Sequence, residues 1–333
     1  MVPRPRDLPS ADLELIGGVL AREPRALAKT ITLIESTHGD HQARAQAVLE
    51  ALLAHAGGSI RIGISGAPGA GKSTFIEALG LHVIARGHRV AVLAVDPSSS
   101  ISGGSILGDK TRMEKLSMEP AAFIRPSPSG GSLGGVTEKT RETILACEAA
   151  GFDVVIVETV GVGQSEIAVA GMVDVFALLQ LPNAGDDLQA MKKGIVELAD
   201  IIAINKADID PRAAQRAMRH FEGAAAMLRS ASPRWRVPVL AVSALEASGI
   251  DRFWAEVERY RTAMTESGEF EAKRRHQAVG WMWTLIESEL GARFRHHPQV
   301  RRDLEKVSRA VEAGGMTPAA AAHRLLGYMN ENP

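Results

Sequence analysis

The chain has 333 residues, 45% of them hydrophobic and 23% charged, with a formal net charge of −1. That length holds one large α/β domain with helical additions, since single cores stop growing at about 250–300 residues, and near-neutral charge gives no field to gather nucleic acid. A single cysteine, Cys147, excludes an intramolecular disulfide and suits a reducing compartment such as the cytoplasm, and no stretch approaches the ~20 apolar residues that span a bilayer.

Residues 1–7 are polar and proline-rich with no apolar stretch behind them, so a loose tail without a secretory signal is expected. From about residue 11 to 56 the pattern is helical. Leu13, Ile16 and Leu20 recur at helical spacing, Pro24 suits a first helical turn, and Leu27, Ile31 and Ile34 continue the stripe. Gly57-Gly58 closes this extension, residues 1–57. Six short apolar runs follow: Ile60–Ser65, Val90–Val95, Val154–Val157, Val175–Leu181, Ile201–Ile204 and Val239–Val242. Runs without clean alternation, separated by helical stretches, predict a mostly parallel sheet buried on both faces.

The first run leads into Gly66, Ala67, Pro68, Gly69, Ala70, Gly71, Lys72, Ser73 and Thr74. This strand, glycine-rich loop and helix order is a P-loop, whose amides and helix terminus cradle phosphates. Lys72 is expected to reach the β/γ-phosphates and Ser73 to ligate Mg²⁺. Between Asp96 and Thr140 glycine, serine and proline dominate, with Leu107, Met113 and Leu116 suggesting a helix inside, and nucleotide-responsive loops are expected there. Mg²⁺ needs one or two further carboxylates, for which Asp96, Asp109 and Glu158 are the candidates. Gly161 is free to donate its N–H to the γ-phosphate. Val162 stands where small regulatory GTPases carry the glutamine that positions water, so intrinsic hydrolysis should be slow.

After Ile201–Ile204 come Asn205-Lys206-Ala207-Asp208. Asp208 can accept two hydrogen bonds from guanine, whereas adenine offers no such donor pair and leaves a carboxylate unpaired. Lys206 would lay its stem on the base, Asn205 would brace the loop, and Ser243, Ala244 and Leu245 would close the base site, with the Ala244 N–H meeting guanine O6. These residues make GTP and GDP the expected ligands. Beyond Tyr260 the chain is helical again, with Trp281-Met282, Leu285-Ile286 and Leu290 on one stripe and Thr317-Pro318 opening a last helix. That stripe must be covered by the chain's own body or by a second copy.

The strings Ala94–Ser99, Gly103–Met113, Phe123–Ser127 and Val157–Glu166 closely resemble the methylmalonyl-CoA mutase-associated GTPases. The resemblance runs from the helical preface to the C-terminal arm. It implies a P-loop GTPase domain over residues 58–264 and a helical dimerisation arm over 265–333. It further implies a homodimeric chaperone of an adenosylcobalamin-dependent acyl-CoA mutase, acting with a cobalamin adenosyltransferase, that gates cofactor loading and protects the mutase. No cobalamin is expected on this chain itself, and neither a nucleic-acid nor a membrane partner. By motif, Lys72, Asp96, Asp109, Glu158 and Gly161 serve catalysis, and Asp186, Gln189 and Lys192 lie in a further switch facing the client. Asn183, where relatives often have glycine, is a departure. A nickel-delivery GTPase and a P-loop kinase are the alternatives, which a nickel titration and a phosphate-transfer assay would separate. A protein using nucleotide only structurally would show no multiple turnover even beside a mutase.

Overall fold

A computed structural model describes residues 8–95, 113–126, 133–159, 164–182, 193–227 and 232–330. Helices α1 (Ser10–Leu20), α2 (Pro24–Glu35) and α3 (Gly39–Leu52) come first. Then follow β1 (Ile60–Gly66), α4 (Lys72–Ile84), β2 (Val90–Val95), α5 (Glu114–Ser117), β3 (Ala122–Arg125), α6 (Leu133–Ala149), β4 (Val154–Thr159) and α7 (Gln164–Ala170). The series continues with β5 (Val175–Gln180), α8 (Lys193–Leu198), β6 (Ile201–Ile204), α9 (Pro211–Met227), β7 (Val239–Ala241) and α10 (Ile250–Glu266). Helices α11 (Glu269–His296), α12 (Pro298–Glu312) and α13 (Pro318–Gly327) complete the chain.

Among the described residues the strands form one seven-stranded sheet in the order β3-β2-β4-β1-β5-β6-β7. Every pairing is parallel. All six expected runs are strands. The seventh, β3, lies at the edge and has only four residues inside the glycine- and proline-rich stretch, too few for a period to show.

Alternation within a strand explains why both faces are apolar. Val154 and Ile156 of β4 point to a core built with Phe75, Ile76 and Leu79 of α4 and Phe253 and Val257 of α10. Val155 and Val157 point the other way, to Leu27, Ile31 and Ile34 of α2, Val48 and Leu52 of α3, and Cys147 of α6. Phe75 and Phe253 meet edge to face at 4.9 Å. The N-terminal helices thus share a core with the sheet. On α1, however, Leu13 and Leu20 face solvent at 46% and 36% exposure, while Asp12 is fully buried. Arg44 of α3 meets the Asp12 carboxylate at 2.6 Å, and this ion pair turns α1 off its aliphatic stripe.

The chain divides into two compact units, residues 1–271 and 272–333. In the second, Val307, Ala321 and Leu325 pack with Phe294, Val311 and Met316. Thr317 caps α13 by accepting from the Ala320 N–H at 3.2 Å, and the Tyr328 hydroxyl donates to Asp303 at 2.6 Å. Among the described residues no helix is long and apolar enough to cross a membrane.

Candidate functional site

Parallel strands bring their carboxyl ends to one edge, where ligands of such sheets bind. The loop after β1, Glu158 and Thr159 of β4, Asn205 after β6 and Ser243-Ala244 after β7 all gather there. Gly66 pairs beside Leu179 of β5 with φ 150°, and a Cβ on it would lie 2.3 Å from the Leu179 carbonyl oxygen. Gly71, at φ 86° and ψ 30°, opens α4, and a Cβ there would lie 2.7 Å from Asn205 Nδ2. Glycine at 66 and 71 is therefore required by left-handed backbone and by close approach together.

Lys72 donates to the Gly66 carbonyl at 2.8 Å and lies within 3.4 Å of that of Ala67, folding its ammonium back over the loop. Burial pulls its pKa down, and the charges of Glu158 and Glu166 oppose that shift. The Ser73 hydroxyl donates to Glu158 Oε1 at 3.1 Å. Thr159 donates to Ser65 Oγ at 3.1 Å, joining the ends of β4 and β1.

Asn205 is the hub of the opposite side. Its backbone N–H donates to Gln180 at 2.8 Å, Nδ2 donates to the Ala70 carbonyl at 2.8 Å, and Oδ1 accepts from the Ala244 N–H at 3.0 Å. One buried side chain thereby fixes the P-loop against both loops expected to hold the base. Ala207 donates to Val242 at 3.1 Å, and Ser243 and Ser248 exchange backbone hydrogen bonds at 3.0 Å. Lys206 adopts φ 58°, a strained backbone for a lysine that such bracing holds in place.

Asp208 Oδ1 is buried and has no hydrogen-bond partner among the described residues. An orphaned carboxylate oxygen costs free energy until a donor meets it, and guanine's N1–H and amino group are such donors. The residues therefore fit a guanine nucleotide. They also fit Mg²⁺, which takes few protein ligands and completes its shell with phosphate and water, with Ser73 and Glu158 as the adjacent protein oxygens.

Of the expected residues, the structure brings together Gly66 through Ser73, Glu158, Asn205, Lys206, Asp208, Ser243 and Ala244. Thr74 and Leu245 face solvent, Leu245 at 83% exposure. Asp96, Asp109, Gly161, Asp186, Gln189 and Lys192 lie outside the described residues, as do Val162 and Asn183. Sequence reasoning did not single out Glu166, 2% exposed in the first turn of α7, or the Ser65–Thr159 pair. Their signal was proximity in sequence to Gly161 and Gly66, without a pattern to say that they turn inward.

A family model described as methylmalonyl Co-A mutase-associated GTPase MeaB matches residues 27–299. A protein of Mycobacterium tuberculosis named a probable GTPase is 53% identical over 306 residues, covering 92% of this chain and 91% of its own. The mitochondrial methylmalonic aciduria type A homolog of Mus musculus is 46% identical over 323 residues, covering 94% of this chain and 78% of its own. The crystal structure of a LAO/AO transport system kinase superimposes with a TM-score of 0.79 at 38% identity, covering 97% of this chain and 99% of that one.

Proposed function

The chain belongs to the methylmalonyl-CoA mutase-associated GTPases and is itself a GTPase, and from that membership we propose that it serves as a GTP-hydrolysing chaperone of an adenosylcobalamin-dependent acyl-CoA mutase. Methylmalonyl-CoA mutase is the proposed client, a cobalamin adenosyltransferase a further partner, and the cytoplasm the compartment. The observation that carries the guanine reading is the buried, unpartnered Asp208 Oδ1 on a loop that Asn205 ties to the P-loop.

Bound GTP with Mg²⁺ supplies the phosphoanhydride to be cleaved and the divalent charge that neutralises it. The chain's residues do the rest. The amides around Gly69–Ser73 and the start of α4 orient the phosphates, and Lys72 exchanges its carbonyl contacts for them. Ser73 and Glu158 would hold the metal, Asp96 and Asp109 are assigned to the same ion by motif, and Gly161 to the γ-phosphate. Asp208 selects guanine, whereas the Ala244 N–H, expected to meet guanine O6, is already given to Asn205 Oδ1 at 3.0 Å and braces the loop instead. With Val162 in place of a water-positioning glutamine, hydrolysis is slow until a partner completes the site, and such contacts are worth about 10³–10⁵ in rate. Asp186, Gln189 and Lys192 are assigned to the client-facing switch, and α11 to α13 to a homodimer.

GTP turnover measured with and without purified acyl-CoA mutases tests the proposal. Slow turnover alone and a clear rise with methylmalonyl-CoA mutase are expected. No response to any mutase would overturn the chaperone reading and leave the GTPase standing.

A further inference from the structure

Helix α7 (Gln164–Ala170) follows the segment expected to read the γ-phosphate, yet at seven residues it is too short to be stable by itself. Among the contacts that hold it, Val169, with Val173 just beyond its end, both fully buried, lies over Gly63 of β1, where a Cβ would come within 2.9 and 3.0 Å of them. At its end, Arg141 of α6 donates from Nη2 to the Gly171 carbonyl at 2.6 Å. A guanidinium on a carbonyl at a helix carboxyl end forms a charge-assisted bond aligned with the helix dipole. Burial lowers the pKa of Arg141 to about 10, with Arg61 adding to the shift, so it stays charged at neutral pH.

The other end of α7 starts beside the carboxyl end of β4. There Glu166, 2% exposed, turns inward, and its charge acts on Lys72 together with that of Glu158. Arg141 is thus joined to the far end of the helix that carries Glu166.

Building on the GTPase reading, we propose that Arg141 is a positioning residue for GTP hydrolysis, fastening α7 at Gly171 so that the Glu166 carboxylate is held toward Lys72. Arg141 touches the helix end and acts through Glu166. GDP affinity, carried mainly by the P-loop amides and the Asn205–Asp208 loop, should change far less than turnover, which needs α7 in place.

The experiment is a double-mutant cycle on the full chain. Arg141→Met should lower kcat by about tenfold while leaving GDP affinity within about twofold, and Arg141→Lys should recover most of the loss. In an Arg141→Met/Glu166→Gln double variant kcat should fall no further than in Glu166→Gln alone. A parallel fall in GDP affinity, strictly additive losses, or an unchanged kcat would each overturn the proposal. Should Arg141→Met not fold, Arg141→Gln with Glu166→Gln runs the same cycle, the same three results counting against it. Wild-type turnover is measured first: an inactive intact protein counts against the GTPase reading, whereas an active one with additive losses counts against Arg141 alone.

Discussion

Asp208 and Asn205 do different work in the same loop, and substitution separates them. Asp208→Ala removes the unpartnered acceptor without breaking any described hydrogen bond, so the fold should persist while preference for guanine over adenine nucleotides collapses. Calorimetry with GDP and ADP reads this directly, and an unchanged preference would end the guanine assignment. Asn205→Ala instead orphans the Ala70 carbonyl and the Ala244 N–H, each at about 1–3 kcal/mol when buried. Affinity for guanine and adenine nucleotides should therefore fall together, by roughly 10²-fold or more. The aspartate was legible as a candidate because guanine's donor pair dictates an acceptor, and its buried, unpartnered oxygen supports that reading. The asparagine's bracing role was legible too, but its partners were not, since Ala70 and Ala244 lie 135 and 39 residues away in sequence. Only the order of strands in the sheet brings those segments together.

At the scale of elements, the carboxylate of Glu148 pins the end of α6 to the start of β1. It accepts from the Gly57 N–H at 2.7 Å, from the Ser59 hydroxyl at 2.6 Å and from Arg61 at 2.8 and 2.9 Å. Burial works to raise its pKa, but the hydrogen bonds and charge of Arg61, with Ser59 and Gly57, outweigh that and hold it below the ordinary 4.5. A depressed carboxylate contributes stability that is complete above its unfolded pKa and lost as pH falls through its folded one. Glu148→Gln should thus cost about 1.5–3 kcal/mol at pH 7, since it removes the charge-assisted bonds to the partly buried Arg61. Urea unfolding should show the gap to wild type closing below pH 4.5. An equal gap at all pH values would assign the loss to packing. The strands of this region were readable from their apolar runs, and Pro24 and Thr317-Pro318 marked helix starts as expected. The inward turn of α1 was not, because the buried face holds Asp12, and a stripe of leucines outweighs one acid in any reading by periodicity.

For the whole molecule the open question is what covers α11. Trp281 and Leu285 are half-buried, whereas Val279, Met282, Trp283, Ile286 and Leu290 are 54%, 47%, 56%, 38% and 56% exposed. They recur at spacings that keep them on one side of a 28-residue helix over about 16 Å. A contiguous apolar face of that kind marks an association surface, and an isologous contact with a second copy would cover both faces at once. Trp283→Asp with Leu290→Asp should convert a dimer to a monomer in sedimentation at micromolar concentration. Nucleotide affinity should hold, because the base and phosphate loops belong to the unit of residues 1–271. Stimulation by the mutase should fall with the dimer if the client reads two copies together, and persist if it reads one. A wild-type protein that sediments as a monomer would leave the stripe to another partner. A monomeric variant with full client response would place all communication in the nucleotide-binding unit, because a ligand shifts an equilibrium only through the contacts that differ between its states.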